Sequence, residues 1–306
     1  MVGAALIAFL TWRADLGSVL GSLGEARFGY VILAYFFVLA ALVLGALRWR
    51  PYLHELGFEI SVRAAIRLCL IGAFFNAFLP TGVGGDTYKA LRLPRNPGTS
   101  TNAFASVLLD RAAGVVGMAV LALIGVVSQM VNGGSDAVLV SALSVGVFVF
   151  LTYGALPFLG GRTSSTISPT VGAGIRGRFV LLVRAISAGA RHSRTSARGL
   201  TMGVVTGVMF LAANASLAQA LNLSVPLGTM SALLLLASVV AVLPLSINGV
   251  GLRETAYVWG LGSYGIGQNT ALAFALLVLG TGLASSAVGG IVYAATGGRR
   301  LFNARV

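Results

Sequence analysis

The chain alternates long uncharged apolar stretches with short segments that carry charge. Asp, Glu, Lys and Arg are absent from residues 28–47, 68–85, 112–135, 137–161, 199–252 and 255–298. A membrane-spanning helix needs about 20 apolar residues, so the first four stretches suit one helical segment each and the last two suit two each. The pattern predicts an all-α, polytopic integral membrane protein with a single transmembrane domain over residues 1–306.

Positively charged residues in short connecting segments mark the cytoplasmic side of a membrane protein. Such residues are concentrated between the apolar stretches, in residues 48–67, 87–96 and 161–198. The loops assigned to the opposite side contain no Lys or Arg and comprise residues 132–136, 222–228 and 262–269. We therefore expect a multi-pass protein of the inner (cytoplasmic) membrane whose C-terminus is cytoplasmic.

This orientation predicts which stretches cross the bilayer and which return to the side they entered. The predicted spanning helices are residues 29–47, 103–131, 137–160, 199–221 and 270–296. Residues 64–96 begin and end in basic, cytoplasmic sequence, whereas residues 228–264 begin and end in uncharged, external sequence. Each of these two segments is therefore predicted to form a re-entrant helical hairpin.

The two predicted hairpins have similar sequences at their tips. Residues 79–86 read Leu-Pro-Thr-Gly-Val-Gly-Gly-Asp, and residues 243–254 read Leu-Pro-Leu-Ser-Ile-Asn-Gly-Val-Gly-Leu-Arg-Glu. Pro interrupts a helix because it lacks a backbone N–H, and Gly permits a sharp reversal. The tip residues are Pro80, Gly82, Gly84, Gly85, Pro244, Gly249 and Gly251. Matching tips on opposite sides of the membrane are typical of inverted-repeat transporters.

These features divide the chain into two units, each made of a helix, a hairpin and a helix. Repeat 1 covers about residues 29–131 and repeat 2 about residues 199–296, with a central helix at 137–160 and a basic cytoplasmic segment at 161–198. Irregular backbone at membrane depth must be buried by protein or solvated by a cavity, so the two tips predict a cavity between them. Helix N-termini and Arg253 favour an anion there, which indicates a phosphate-bearing lipid headgroup.

Charged residues inside membrane segments are costly, which makes them candidate binding residues. Arg253 is the predicted phosphate clamp, and Glu254 is its partner or a proton carrier, because the pair interrupts a region otherwise free of charge from 199 to 298. Asp86 and Lys89 fit either a cation or proton relay or an ion pair one helical turn apart, and the spacing favours the pair.

Further polar residues have two interpretations each. Asp110 and Arg111 fit either an interfacial anchor or part of the cavity wall. Asn76, Asn214 and Asn248 could hydrogen-bond to a guest in the cavity, although polar contacts between helices are the ordinary interpretation.

Composition excludes several other classes of protein. The net charge is +13, but the basic residues lie between apolar segments and form no soluble domain for nucleic acid. One cysteine and two histidines without ligand spacing predict no metal site. We find no phosphate-binding loop and expect no cofactor. With only eight acidic residues, the chain has few groups for acid–base catalysis, so we do not favour an enzyme.

Short segments at both tips also suggest a family. They are residues 75–80 with 84–90, Asp110-Arg111, and Leu243-Pro244 with residues 249–254. Together they resemble the transmembrane, flippase-like domains of lysylphosphatidylglycerol synthases, over about residues 29–296. The resemblance implies a membrane protein that moves lipids between leaflets. Ten residues follow the last predicted helix, so we expect a stand-alone member without the synthase domain.

The sequence thus favours translocation (flipping) of a phospholipid or polyprenyl-linked lipid across the cytoplasmic membrane. The alternatives are a membrane-embedded transferase acting on a lipid-linked substrate, or an accessory subunit of such a system. The expected partners are membrane lipids with anionic or phosphate-bearing headgroups. The sequence leaves open whether the chain forms a homo-oligomer or joins a lipid-synthesis enzyme.

Overall fold

The described part of the chain is helical. The computed structural model describes residues 14–78, 84–93, 99–131, 193–242 and 249–296, together with residue 6 and residues 9–12, and no strand occurs in these ranges. In chain order the helices are α1 (Leu16–Gly24), α2 (Phe28–Glu55), α3 (Val62–Phe78), α4 (Gly84–Leu91), α5 (Thr99–Val131), α6 (Ser193–Ala220), α7 (Leu227–Val242), α8 (Leu252–Ser263) and α9 (Gln268–Ala295). The prediction of an all-α membrane protein is confirmed.

Within these ranges, four helices are long and apolar enough to cross a membrane, namely α2, α5, α6 and α9. They coincide with four of the predicted spans. The fifth, at 137–160, lies outside the described residues, as do positions 161–192 of the predicted basic segment. All four helices begin before the predicted spans. The largest differences are that α2 continues to Glu55, α5 begins at Thr99 and α6 begins at Ser193.

The remaining long segments form two pairs of shorter helices. α3 has 17 residues and packs on α4, which has 8, while α7 has 16 residues and packs on α8, which has 12. At about 1.5 Å per residue, each is shorter than the apolar core of a bilayer, which is about 30 Å thick. Their lengths and packing fit hairpins at 64–96 and 228–264, although their re-entrant path and the inverted repeat stay predictions.

The helix contacts of the two units correspond. α3 packs on α9, the corresponding α7 packs on α5, and α2 and α6 pack on each other. Both cross-unit contacts depend on glycine: a Cβ on Gly289 would overlap the Leu70 carbonyl, and a Cβ on Gly125 would overlap Gly228 and Ser231. Close approach of backbones at small residues is how membrane helices gain packing contacts. Equivalent contacts of α3 with α9 and of α7 with α5 are expected if the two units are related as the predicted repeat.

Each unit has an apolar cluster. One joins α2, α3, α4 and α5 around Trp49, Leu53 and Leu68, and the other draws chiefly on α6, α7, α8 and α9 around Leu233 and Phe274. The cavity described below lies where elements of the two units meet.

The α5–α6 contact gives a test of the packing. A Cβ on Gly117 would overlap the backbone of Gly203, so Gly117→Ala should lower the free energy of unfolding by about 1–3 kcal/mol, as overpacking does. Thermal unfolding of the detergent-solubilised protein measures this. Gly45→Ala in α2 is the control, because no atom lies within 4 Å of its added Cβ. Equal melting temperatures for the two variants would contradict the close approach.

Candidate functional site

A cavity of about 380 Å³ lies between α2, α5, α6, α7, α8 and α9. Its size falls within the range of small-molecule sites, about 300–1,000 Å³. The apolar part of its wall includes Met118, Phe210, Leu234 and Val278. The polar part includes Arg48, Arg111, Thr206, Asn214, Ser238, Arg253 and Tyr257. Both units contribute charge to this cavity. The prediction that both hairpin tips line it is not met for the first tip, because no described residue of α3 or α4, Asn76, Asp86 and Lys89 included, belongs to the wall.

Arg48 is held at the cavity by a carboxylate from another helix. Its Nε lies 2.8 Å from Asp110 Oδ1, with 12% of the Arg48 side chain and 7% of the Asp110 side chain exposed. Gly114 leaves room for the guanidinium, since a Cβ there would come within 2.7 Å of Arg48 Nη1. Beside this pair, Trp49 Nε1 donates to Ser106 Oγ at 3.1 Å. These contacts fix α2 against α5.

The sequence pattern did not indicate Arg48 as a site residue, because Arg48 is the first residue of the basic segment 48–67, which was predicted to be a cytoplasmic connection. The structure places it inside α2 instead, on the cavity wall. Arg111 lies on the cavity wall, which is one of the two positions predicted for Asp110-Arg111. Asp110 does not line the cavity and is connected to it through its contact with Arg48. The one sequence signal for Arg48 is its position at the very end of the uncharged run 28–47.

Asp86 is a buried carboxylate with two basic partners. Lys89 Nζ lies 3.2 Å from Asp86 Oδ1, so the ion pair expected from their spacing is present. Arg111 Nε contacts Asp86 Oδ2. Lys89 also lies over the Trp49 ring, 5.1 Å from its centroid. Asp86 and Lys89 are only 6% and 8% exposed, and their contacts join α4 to both α5 and α2.

The first tip is closed by Asn76. Its Oδ1 accepts a hydrogen bond from the Gly85 backbone N–H at 2.9 Å, which joins the end of α3 to the start of α4. A Cβ on Gly85 would overlap the Gly72 carbonyl, so this approach requires glycine. Asn76 therefore makes a contact within the hairpin. Gly84 begins α4, whereas Pro80 and Gly82 lie outside the described residues.

The second tip depends on glycine backbone conformation and on Glu254. Gly249 and Gly251 have φ angles of +75° and +88°, in the region that glycine alone adopts readily. Glu254 Oε2 accepts from the Gly251 N–H at 2.5 Å, and the residue is 1% exposed. This carboxylate caps the N-terminus of α8. Pro244 and Asn248 lie outside the described residues.

Arg253 differs from the other cavity arginines in its partners. Its Nη2 lies 3.5 Å from Glu254 Oε1, a long contact, and its Nε is buried without a hydrogen-bond partner among the described residues. By contrast, Arg48 and Arg111 each direct Nε at a carboxylate. The buried acceptor Asn214 Oδ1 on the same cavity also has no partner within the described ranges.

Among the described residues, the ion pairs at the cavity and behind its wall contain one more positive than negative charge. Four basic side chains face three carboxylates in these ion pairs. They are Arg48, Lys89, Arg111 and Arg253 against Asp86, Asp110 and Glu254. Among the residues that the structure describes, no group of three His, Cys, Asp or Glu side chains could hold a metal ion. The arrangement therefore suits an anion better than a cation.

Comparison with known proteins identifies the family. A sequence profile described as the lysylphosphatidylglycerol synthase TM region matches residues 1–289. The chain belongs to this family. The family resemblance inferred from the two tips is thereby confirmed, and a multi-pass membrane location fits both the family and the four long apolar helices.

One curated relative matches part of this lysylphosphatidylglycerol synthase TM-region protein. The UPF0104 membrane protein PH1989 of Pyrococcus horikoshii is 24% identical over 119 residues. The match covers 38% of this chain and 36% of that protein, so the chain spans little more than a third of the relative's length. The name of this relative describes a membrane protein and gives no substrate.

The Arg48–Asp110 pair gives a test of the site's construction in this family member. Asp110→Asn should lower the free energy of unfolding by about 3–5 kcal/mol, because it leaves a buried guanidinium without its counter-charge. Thermal unfolding measures this loss, with Glu59→Gln at an exposed carboxylate as control. The double variant Arg48→Met/Asp110→Leu should lose less than Asp110→Asn alone. A greater loss in the double variant would contradict the argument.

Proposed function

We propose that this chain translocates a phospholipid or polyprenyl-linked lipid across the cytoplasmic membrane, with the headgroup phosphate passing through the arginine-lined cavity. The observation that carries the proposal is the buried, unpartnered Nε of Arg253 on the cavity wall. A guanidinium binds phosphate through two parallel N–H bonds, and such charge-assisted bonds are about twice as strong as neutral ones. Arg253 has this donor edge available within the described structure, whereas Arg48 and Arg111 use Nε on carboxylates.

The surroundings of the cavity favour a lipid over a soluble anion. A second, apolar groove of about 470 Å³ lies between α2 and α9. Leu277, Gly280 and Thr281 line the groove, while Val278 and Gly282 of the same turns of α9 line the cavity. We assign the groove to a hydrocarbon chain of the lipid whose headgroup enters the cavity. The cavity with its polar side chains and the apolar groove lie on two sides of α9, so together they suit an amphiphile that has a polar headgroup and a hydrocarbon chain.

The architecture supports transport over chemistry. Two hairpins in corresponding positions of two units are what an inverted-repeat transporter uses to open a central site to each side in turn. The buried acids of the site, Asp86, Asp110 and Glu254, accept from basic side chains or backbone N–H. This use of the acids disfavours the alternative of a membrane-embedded transferase, which needs an acid or base directed at its substrate.

A transport assay tests the proposal through Arg253. Purified protein is reconstituted in vesicles that contain phospholipid labelled on one acyl chain, or a labelled polyprenyl phosphate, and transfer between leaflets is followed by quenching of the label. Arg253→Gln should slow transfer by about 10- to 100-fold, the effect of losing hydrogen bonds to a charged group. Arg63→Gln is the matched control, because this arginine is exposed on α3 away from the cavity.

Each outcome has a definite meaning. Fast transfer by the parent protein and by Arg63→Gln, with slow transfer by Arg253→Gln, would support a translocase that uses this cavity. Equal rates for all three would refute the role of Arg253. If the folded parent protein moves no labelled lipid, the proposal fails, and a transferase or accessory role becomes the better hypothesis.

We further propose that the protein lies in the cytoplasmic membrane with the α2–α3 connection inside and the α6–α7 connection outside. The argument is the distribution of basic residues. In a Cys69→Ala background, a cysteine at the exposed Ser61 should react with an impermeant maleimide only in inverted vesicles. A cysteine at the exposed Ser224 should react only in right-side-out vesicles. Labelling of both positions from one side would contradict the inverted arrangement.

A further inference from the structure

The cavity contains an unpartnered acceptor as well as an unpartnered donor. Asn214 is 4% exposed and lines the cavity, and its Oδ1 is buried without a hydrogen-bond partner among the described residues. Its Nδ2 donates to the Phe210 carbonyl at 2.8 Å. Because a carbonyl only accepts, this bond fixes the orientation of the amide and identifies Oδ1 as the free atom.

A buried, unpaired acceptor on the cavity wall favours a bound headgroup that supplies a hydrogen-bond donor. Leaving a buried polar group unsatisfied costs about as much as a lost hydrogen bond. Arg253 Nε needs an acceptor, and Asn214 Oδ1 needs a donor. Both belong to the wall of one cavity, together with Tyr257, which lies one helical turn after Arg253 on α8. The phosphodiester of a phospholipid has no O–H at neutral pH, so it can accept from the arginine and offers no donor to the asparagine.

We propose that the cavity selects headgroups that carry an N–H or O–H donor in addition to the phosphate, with Asn214 Oδ1 accepting from that donor. This inference rests on the proposed function and narrows the substrate to headgroups with an ammonium or hydroxyl group. A site built to hydrogen-bond such a group discriminates strongly against an analogue that lacks it, because its own acceptor is then left unpaired. Asn214 is thus a specificity residue, and Arg253 is the anion-binding residue.

The test uses headgroups of constant charge. Phosphatidylethanolamine and its N-monomethyl and N,N-dimethyl derivatives all keep at least one N–H, whereas phosphatidylcholine has none. The first three should be transferred at similar rates, and phosphatidylcholine about tenfold more slowly, the effect of one hydrogen bond to a charged group. Phosphatidylglycerol, which donates through hydroxyl groups, should group with the donors. A rate that falls evenly with each methyl group would indicate selection by size and would overturn the proposal.

Variants assign the discrimination to a residue. Asn214→Leu is close in volume and lacks the acceptor, so it should remove the difference between phosphatidylethanolamine and phosphatidylcholine. Thr206→Val should keep the difference, because it removes a hydroxyl that lines the same cavity and bonds to the Met202 carbonyl, which leaves Asn214 Oδ1 in place. If Thr206→Val abolishes the difference and Asn214→Leu does not, the assignment to Asn214 is wrong. The headgroup series on the parent protein stands as a test even if Asn214→Leu fails to fold.

The outcomes separate the two proposals. Transfer of every headgroup at one rate, together with a loss in Arg253→Gln, would keep the translocase and overturn the donor requirement. Absence of any transfer by the folded parent protein would overturn the translocase itself. Competition binding of the unlabelled lipids to purified protein in detergent gives a second readout, in which phosphatidylcholine should compete about tenfold more weakly than phosphatidylethanolamine.

Discussion

The ion pairs of the first unit form a closed circuit, and the position of the cavity depends on it. Arg48 of α2 binds Asp110 of α5, its neighbour Arg111 binds Asp86 of α4, and Lys89 of α4 lies over Trp49 of α2. A buried charge that loses its partner costs several kcal/mol, so separating α2 from α5, or α4 from α5, carries that cost. The circuit also directs the Nε of both Arg48 and Arg111, which line the cavity, at carboxylates.

The second unit uses its charges differently. One carboxylate oxygen of Glu254 accepts a hydrogen bond from the Gly251 N–H at the start of the same helix, and the contact of the other oxygen with Arg253 is long. The Nε of Arg253 consequently has no partner among the described residues, whereas the Nε groups of Arg48 and Arg111 contact carboxylates. Two tips with similar sequences thus make different contacts. Asp86 of the first tip binds basic side chains of two helices, whereas Arg253 of the second tip lies on the cavity wall with its Nε unpaired among the described residues. The difference arises because Asp86 faces basic groups from α4 and α5, while Glu254 folds back on its own helix.

The helices approach closely where small residues meet. Gly117 meets Gly203 between α5 and α6, and Gly125 meets Gly228 between α5 and α7. On α9, Gly280 and Gly282 have no atom within 4 Å of an added Cβ, and they face the groove and the cavity respectively. Membership of the lysylphosphatidylglycerol synthase TM-region family fits a protein that handles an amphiphile at such a place.

The sequence by itself determined the long helices and the candidate charges. Uncharged runs of sufficient length predicted α2, α5, α6 and α9, because a bilayer core admits few other structures. Asp86 and Arg253 were predicted as candidate binding residues because charged residues are rare in the apolar segments of this chain. Only the tertiary structure decided that Arg48 belongs to the cavity, since its partner Asp110 lies 62 residues away, and that Asn214 keeps a free acceptor. Which charges form ion pairs, and which polar atoms find a hydrogen-bond partner, depends on how the helices rotate and pack against one another. Hydropathy and residue spacing do not specify this packing.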